Sequence, residues 1–452
     1  MNRIAFTNNI IVLGYGSIAK AVLPLILDHF SISAEQIKIV AKDVHSTELA
    51  DTLGITIQET FLTRMNFETV LEDVINAGDL LVNLTAEVSS LDLMRYCSEQ
   101  GVQYLDTCIE LWPDEVDADS KTYNERELLL ELKRELQSNS TTVLSSMGAN
   151  PGIVSLLTKE LLLVICKELG LETSKPDSRE AWAKLAYDLS VKVIHVNERD
   201  TQYSLRTFSE TDFVSTWSAK AMIAESIESA EMSIGSHELG IPDGAHYSGT
   251  RNKRDIYFAK PGKDVKIKTW LPLAGEQSGM ILNHNEPFSI AELYTHVDTI
   301  REHSPTVCFV YHPSDHAMTS LRSLTEENFE SLNGHILLHD IEGGLDELGV
   351  LMMTQHHGAY WLGSRLDIDT ARELNPESSA TSLQVAGGVI AGMCWIVSNA
   401  HEGIVEPEEI VDHKYVLNIA EKYWGGYIFA KTNWTPNSSE DSHQFKHFRT
   451  YT

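Results

Sequence analysis

Cysteine is scarce in this chain. The 5 present, Cys97, Cys108, Cys166, Cys308 and Cys394, are scattered and never spaced as C-x-x-C. That pattern argues against a disulfide framework or a cysteine-based zinc site and fits reduced thiols in a cytoplasmic protein. No uninterrupted apolar run reaches the roughly eighteen residues of a membrane span. The opening segment MNRIAFTNNIIVLGYG leads into glycines instead of a small-residue cleavage site, so no signal peptide is expected. His312 and His316 lack a third partner and His356 and His357 are adjacent, so no metal site is expected. No G-x-S-x-G elbow is present, which removes one class of hydrolase. Positive charge is short: 35 Lys and Arg stand against 65 Asp and Glu, a net charge of −30. Phosphate backbones and anionic membranes are bound through Lys and Arg, so neither nucleic acid nor membrane is an expected partner. A small cation would be attracted, although solubility alone also accounts for an acidic surface.

What remains is a globular composition, 42% apolar and 22% charged, over 452 residues. That length exceeds one simple core and predicts two domains. Residues 9–13 read as a buried strand and 17–30 as a helix, with Pro24 expected to kink it or end it early. Residues 37–40, 80–84, 102–105 and 142–144 continue the strand series, with helices between; Ser89 or Ser90 caps the one near Leu91. This alternation predicts an α/β fold with an N-terminal Rossmann-type, doubly wound parallel sheet over 1–150. Asn150-Pro151 is expected to open a helix running to about Leu169. Short alternating strands such as 190–196 and 265–269 then mark a second α+β domain over 151–380, for substrate binding and dimerisation. The small-residue apolar helix near 383–400 is expected to pack back on the first domain. Residues 401–452 form a C-terminal segment, polar and poorly ordered after Pro436.

Chemistry begins at Gly14-Tyr15-Gly16-Ser17-Ile18-Ala19. Gly14 suits a tight strand-to-helix turn, Gly16 lets backbone approach a pyrophosphate, and Ala19 keeps helix and strand close. The phosphates would sit on the amides of the helix N-terminus. A tight turn with no ligand is the plain alternative. Asp43 is the candidate for the ribose, while Lys42 beside it would favour a 2′-phosphate, so NAD and NADP both stand. Gly14, Gly16, Ser17, Ile18 and Asp43 are the cofactor-binding candidates, with Thr85, Asp106 and Thr107 at later strand ends.

Carboxylates recur in unusual company. Glu87 and Glu110 follow strand-end segments, where doubly wound folds bind ligands, although each also reads as a solvated loop charge. Glu198-Arg199-Asp200 follows a probable strand at 192–196. Trp217 and Glu225, eight residues apart, are placed on one face of a helix, where Trp217 alone reads as a core aromatic. His284-Asn285-Glu286 and Leu345-Asp346-Glu347 complete the set.

These residues sit in GYGSIAKAVLPLI, NLTAEVSSLDLM, YLDTCIELW, GANPGIVS, IHVNERDTQ, TWSAKAM, HNEPFSI, YHPSDHA, GLDELGVL, AYWLGS and NWTP. In these ordered segments the chain resembles the bacterial homospermidine synthase family, in the saccharopine reductase-like group of dehydrogenases. The resemblance implies an enzyme that makes homospermidine and ammonia from two putrescines, also accepts spermidine as aminobutyl donor, and keeps NAD as a prosthetic group. It assigns Trp217 to cationic intermediates, Glu198 to the central amine with Glu110 beside it, and Asn150 and Glu286 to the inner amine. His284 joins the catalytic set; Glu225, Glu87 and Asp346 are substrate-binding, Glu225 and Glu87 nearer the entrance. The family often has Asp where Glu87 stands and Glu-Pro-Trp where Glu110-Leu111-Trp112 stands. Its acidic ribose ligand aligns nearer Ala41 than Asp43.

The chemistry suits such a set. An alkylammonium has a pKa near about 10.4 and cannot release hydride until one end is deprotonated. Carboxylates hold one end charged and accept a proton at the other, and an indole face stabilises the resulting iminium. A saccharopine- or carboxynorspermidine-type dehydrogenase would need Arg or Lys for its substrate carboxylates. A non-catalytic NAD- or polyamine-binding module would bind without turnover. A cytoplasmic homodimer acting on diamines is the expectation carried forward.

Overall fold

Ile10, Ile11, Val12 and Leu13 are fully buried, as a strand covered on both faces must be. A computed structural model describes residues 3–42, 44, 46–115, 121–136, 141–172, 174–249, 253–325, 328–437 and 443–450. The chain forms two units, Met1–Ser120 with Asn124–Ile153 and Ala371–Tyr423, and Lys121–Tyr123 with Val154–Thr370 and Trp424–Thr452. The segment read as 401–452 therefore divides at Tyr423, because a sheet strand in each unit draws on it.

In the first unit a seven-stranded sheet runs Ile404–Val405, Val143–Leu144, Gln103–Asp106, Leu80–Asn83, Ile10–Leu13, Ile37–Ala41, Thr56–Glu59. Every pairing is parallel. Strand order reverses between Ile10–Leu13 and Leu80–Asn83, the position at which doubly wound sheets bind ligands beyond their carboxyl ends. The series does not end at Val143–Leu144: Ile404–Val405 extends it from far along the chain. The helix Ser17–His29 continues through Pro24, its buried Val22, Leu25 and Ile26 offsetting the lost backbone bond. Ser89 caps Ser90–Gln100 by accepting from Asp92 N.

The helix Ala380–Ser398 shows why its glycines are there. A Cβ on Gly388 would lie 2.1 Å from Gly148 O, and one on Gly392 would lie 2.6 Å from Met147 Cγ and 2.8 Å from Leu105 Cδ1. By length and composition this helix passes as a membrane span, but 89% of the window is buried within the fold. Asn150-Pro151 does not start a helix. It lies in a turn with a cis peptide bond, Gly148 N donates to Pro151 O, and the helix begins at Ile153.

The second unit holds a ten-stranded mixed sheet. Its centre is Val191–Asp200, parallel to Thr306–His312 and antiparallel to Leu345–Thr354. Gly275–Leu282 joins the other edge of Thr306–His312 and pairs with Lys266–Leu271. The strand expected at 192–196 thus extends through Asp200, which moves Glu198 and Asp200 from a loop into a buried sheet. Part of the polar tail is also pinned: Phe445 and Phe448, each 1% exposed, enter the core beside Phe258 and Trp361.

Gly388→Ala should cost about 1–3 kcal/mol through overpacking, read as a lower urea midpoint. Gly240→Ala, with nothing within 4 Å of the new Cβ, should leave the midpoint in place. Equal midpoints in both variants would show that the Gly388 approach is not tight.

Candidate active site

At the switch point the strand Ile10–Leu13 turns at Gly14, whose φ of 93° favours glycine and whose Cβ would lie 2.8 Å from Leu84 O. Gly16 precedes the helix Ser17–His29, and a Cβ there would point into open space. No side chain caps this helix and no acidic residue lies in its first turn. Ser17 and Ile18 supply that turn. The open space beside Gly16 at this helix start fits a dinucleotide pyrophosphate. Asp43 lies outside the described residues. Lys42 donates to Glu87 Oε2 at 3.0 Å. Glu87 has a φ of 75° and a half-exposed side chain, and its N–H donates to Glu110 Oε2 at 3.4 Å. Such an exposed pair is worth about 0–1 kcal/mol, weak enough for another ammonium to compete.

Beside Gly14, a hydrogen-bond chain crosses the carboxyl ends of neighbouring strands. Thr85 Oγ1 donates to Asn83 Oδ1 at 2.6 Å, Asn83 Nδ2 to Tyr104 Oη at 3.2 Å, and Tyr104 Oη to Asp106 Oδ2 at 3.0 Å. Asp106 Oδ1 accepts from Ser146 N at 2.6 Å. Burial pushes the Asp106 carboxyl up to about 7, against these hydrogen bonds. Ser90 Oγ accepts from Glu110 N at 3.0 Å, and Ser90 also bonds Tyr104 and Asp106, so Glu110 is tied to the same floor. Thr107 lies against Gly148, whose added Cβ would stand 3.6 Å from Thr107 Cβ. Asn150 belongs to the turn that follows.

In the second unit Glu198 pairs across the sheet with Tyr311 and Leu348, and Asp200 pairs with Asp346. Residues two apart on a strand share a face, so Glu198, Asp200, Asp346 and Tyr311 stand together on one side. All are buried; Glu198 is 5% exposed and Asp346 0%. Burial, then Glu198, Asp200 and Asp346, hold the Tyr311 hydroxyl well above its ordinary range, while a hydrogen bond from Trp217 opposes this. Burial likewise raises Asp200 to about 6, against hydrogen bonds from Thr216 and Gln202.

Next to this face His284 Nδ1 lies 3.1 Å from Glu286 Oε1 and Nε2 3.4 Å from Glu225 Oε2. Its ring stacks on Phe309 with centroids 4.2 Å apart. Burial alone disfavours the charge, but Glu286 and Glu225 outweigh it and hold His284 well above its ordinary value, as an imidazolium. Glu286 is fully buried, and its Oε2 has no hydrogen-bond partner among the described residues.

Glu198, Trp217, Glu225, His284, Glu286 and Asp346 belong to the second unit; Glu87, Glu110 and Asn150 belong to the first. Trp217 is not helical. The helix is Ala219–Ile227, and Ser218 caps it by accepting from Ala221 N, which leaves Trp217 in the turn before it. Asp200 and Tyr311 went unassigned in the sequence. The period-2 spacing of Glu198 and Asp200 would have joined them had the strand been carried past Val196. Among the described residues no group of His, Cys, Asp and Glu could hold a metal ion.

Residues 10–144 match the saccharopine dehydrogenase NADP binding domain and residues 148–425 the saccharopine dehydrogenase C-terminal domain. Homospermidine synthase of Blastochloris viridis is 35% identical over 439 residues, 94% of this chain and 92% of that protein. Homospermidine synthase of Mesorhizobium japonicum is 36% identical over 446 residues, 95% and 91% of the two chains. The crystal structure of homospermidine synthase from Legionella pneumophila in complex with NAD superposes with a TM-score of 0.93 at 34% identity, covering 99% of each chain. Apo saccharopine dehydrogenase of Saccharomyces cerevisiae shares the fold, with a TM-score of 0.56 at 10% identity over 94% of this chain and 100% of that one. A glycine-turned parallel sheet followed by a large mixed sheet thus defines a protein of the saccharopine dehydrogenase class. Within that class, the chain belongs to the homospermidine synthase family.

Because the folded carboxyl of Asp106 is raised to about 7, the unfolded chain gives up this proton first as pH rises. Folding is therefore penalised progressively from about pH 4 to pH 7. Asp106→Asn should gain thermal stability relative to the parent between pH 4 and pH 8. A difference in melting temperature that does not change with pH would contradict the burial of an ionisable group there.

Proposed function

We propose that this protein is a homospermidine synthase acting on putrescine, with spermidine as a second aminobutyl donor, and that it binds NAD. Ammonia leaves when putrescine is the donor and 1,3-diaminopropane when spermidine is. The observation that carries this reading is a fully buried carboxylate oxygen, Glu286 Oε2, without a donor among the described residues and beside an imidazolium already shared by two glutamates. A buried acceptor left without a donor costs about 1–3 kcal/mol, more on a charged group, unless a ligand completes it. A substrate ammonium does so.

Gly14, Gly16, Ser17 and Ile18 hold the cofactor pyrophosphate in this reading, and Thr85, Asp106 and Thr107 line the nicotinamide half. NAD is favoured by the cofactor in the Legionella structure. When bound, it supplies a hydride acceptor that later gives the hydride back. The chain does the rest. In the second unit Glu286 holds the inner amine and Glu198 takes the central nitrogen; Asn150 and Glu110 of the first unit keep the amine roles that the family resemblance implies. Deprotonation at one end frees the lone pair that hydride loss requires. The indole of Trp217 faces the iminium, a contact worth roughly 0.5–2 kcal/mol that binds positive charge without trapping it. Glu225, Glu87 and Asp346 draw in the charged outer end. His284 keeps Glu225 and Glu286 from repelling each other. A substrate bearing carboxylates would meet like charge on this face, which argues against a saccharopine-type reaction.

In this scheme the first unit holds the cofactor, and the second supplies Glu198, Trp217, Glu225, His284, Glu286 and Asp346. The free cysteines among the described residues suit a cytoplasmic setting, and the size of the second unit makes a homodimer the expected assembly.

Putrescine with trace NAD+ should yield homospermidine and ammonia by mass detection, and absence of both would remove the proposal. Glu198→Gln should lose about a hundredfold in synthase rate, the scale of losing a positioned charge-stabilising group, and Trp217→Ala about tenfold, the scale of one cation–π contact, both while retaining bound NAD. Gly16→Val should fold, since its Cβ meets nothing within 4 Å, but purify with little NAD. Normal NAD content in that variant would contradict the cofactor placement.

A further inference from the structure

Asp200 and Thr216 have no part in the function above, yet their arrangement is costly. Asp200 is 2% exposed, and its cross-strand neighbour is Asp346, another buried carboxyl. Like groups directly opposite destabilise a sheet. Among the described residues Asp200 accepts hydrogen bonds only from neutral donors: Thr216 Oγ1 at 2.5 Å, Gln202 N at 2.8 Å and Gln202 Nε2 at 3.1 Å. An apolar residue would relieve the opposition, so the Thr216 bond must do something else.

Thr216 directly precedes Trp217. That segment is irregular, lying between the strand Asp212–Ser215 and the helix Ala219–Ile227. Regular backbone pairing therefore does not set the direction of the indole. Trp217 N donates to Ser215 Oγ at 3.3 Å, the Trp217 side chain hydrogen-bonds Tyr311, and the Thr216 hydroxyl donates to Asp200 Oδ2. Asp200 and Tyr311 flank Glu198 on one sheet face, so the groups that orient the indole grow from the same strands as the carboxylate it serves.

We propose that Asp200, acting through Thr216, is a positioning residue that holds the Trp217 indole over the cationic carbon–nitrogen double bond and keeps water from it. This rests on the assignment of Trp217 to that cation. Hydride transfer from the amine-bearing carbon to NAD+ leaves R–CH=NH2+ and NADH. Attack by a second amine forms the new C–N bond, ammonia departs, and the hydride returns. Attack by water forms a C–O bond, breaks the C–N bond and releases ammonium. An amino aldehyde remains, and the hydride stays behind as NADH. The ratio of NADH and aldehyde to homospermidine reports how well the cation is sheltered, whatever fraction of enzyme is active.

The NAD-loaded enzyme, Asp200→Ala, Thr216→Val and Trp217→Ala are incubated with putrescine. NADH is followed by absorbance, and the trapped aldehyde and homospermidine by mass spectrometry. The ratio should rise about tenfold in Asp200→Ala and in Thr216→Val, the scale of one desolvated cation–π contact. Their double variant should not exceed either single, because both remove one bond. Thr216→Val preserves volume and decides the matter if Asp200→Ala fails to fold. A parental ratio in Thr216→Val and Asp200→Ala, with a raised one in Trp217→Ala, overturns the positioning role alone. A parental ratio in Trp217→Ala as well removes the tryptophan assignment and the positioning role with it.

Discussion

Negative side chains buried side by side repel, and the second unit of this protein is arranged around that fact. Two unit charges about 5 Å apart at an effective dielectric near 20 repel by about 3 kcal/mol. Glu198, Asp200 and Asp346 stand on adjoining strands of one sheet face, and Glu286 is buried nearby with one oxygen unanswered. Neutral donors such as Thr216 and Gln202, and the His284 imidazolium, reduce the cost. In the proposed function a diamine reduces it further, so the same repulsion favours its binding.

The surrounding fold provides the rigidity this needs. Val191–Asp200 is paired on both edges, parallel to Thr306–His312 and antiparallel to Leu345–Thr354, so its carboxylates cannot swing away. On the opposite face, Asn197 donates to Thr269 Oγ1 and accepts from Trp361 Nε1, and Arg365 pairs with Glu347 at 3.0 Å.

The first unit works differently. Its ligand-facing surface is backbone: a positive-φ glycine, an uncapped helix start and a chain of neutral hydrogen bonds ending on a carboxyl near its titration point. The glycines between Ala380–Ser398 and the 147–148 segment do for packing what Gly14 does for the turn, letting backbone approach where a methyl group would collide.

Much of this was legible in the chain itself. The alternation of apolar runs with helical stretches, and Gly14 and Gly16 at the first turn, determine a doubly wound sheet and its cofactor edge, because periodicity and glycine conformation are local properties. The scarcity of Lys and Arg agrees with a cationic guest, as it does with simple solubility. Local properties could not show that Val191–Asp200 continues past Val196, since Asn197-Glu198-Arg199-Asp200 looks like a solvated turn until strands from residues 306 and 345 flank it. Nor could they show that Trp217 lies outside its helix, that Lys42 meets Glu87, or that Asp200 faces Asp346. Those pairings join residues distant along the chain, and only the three-dimensional register, set by burying both faces of the sheet at once, decided them.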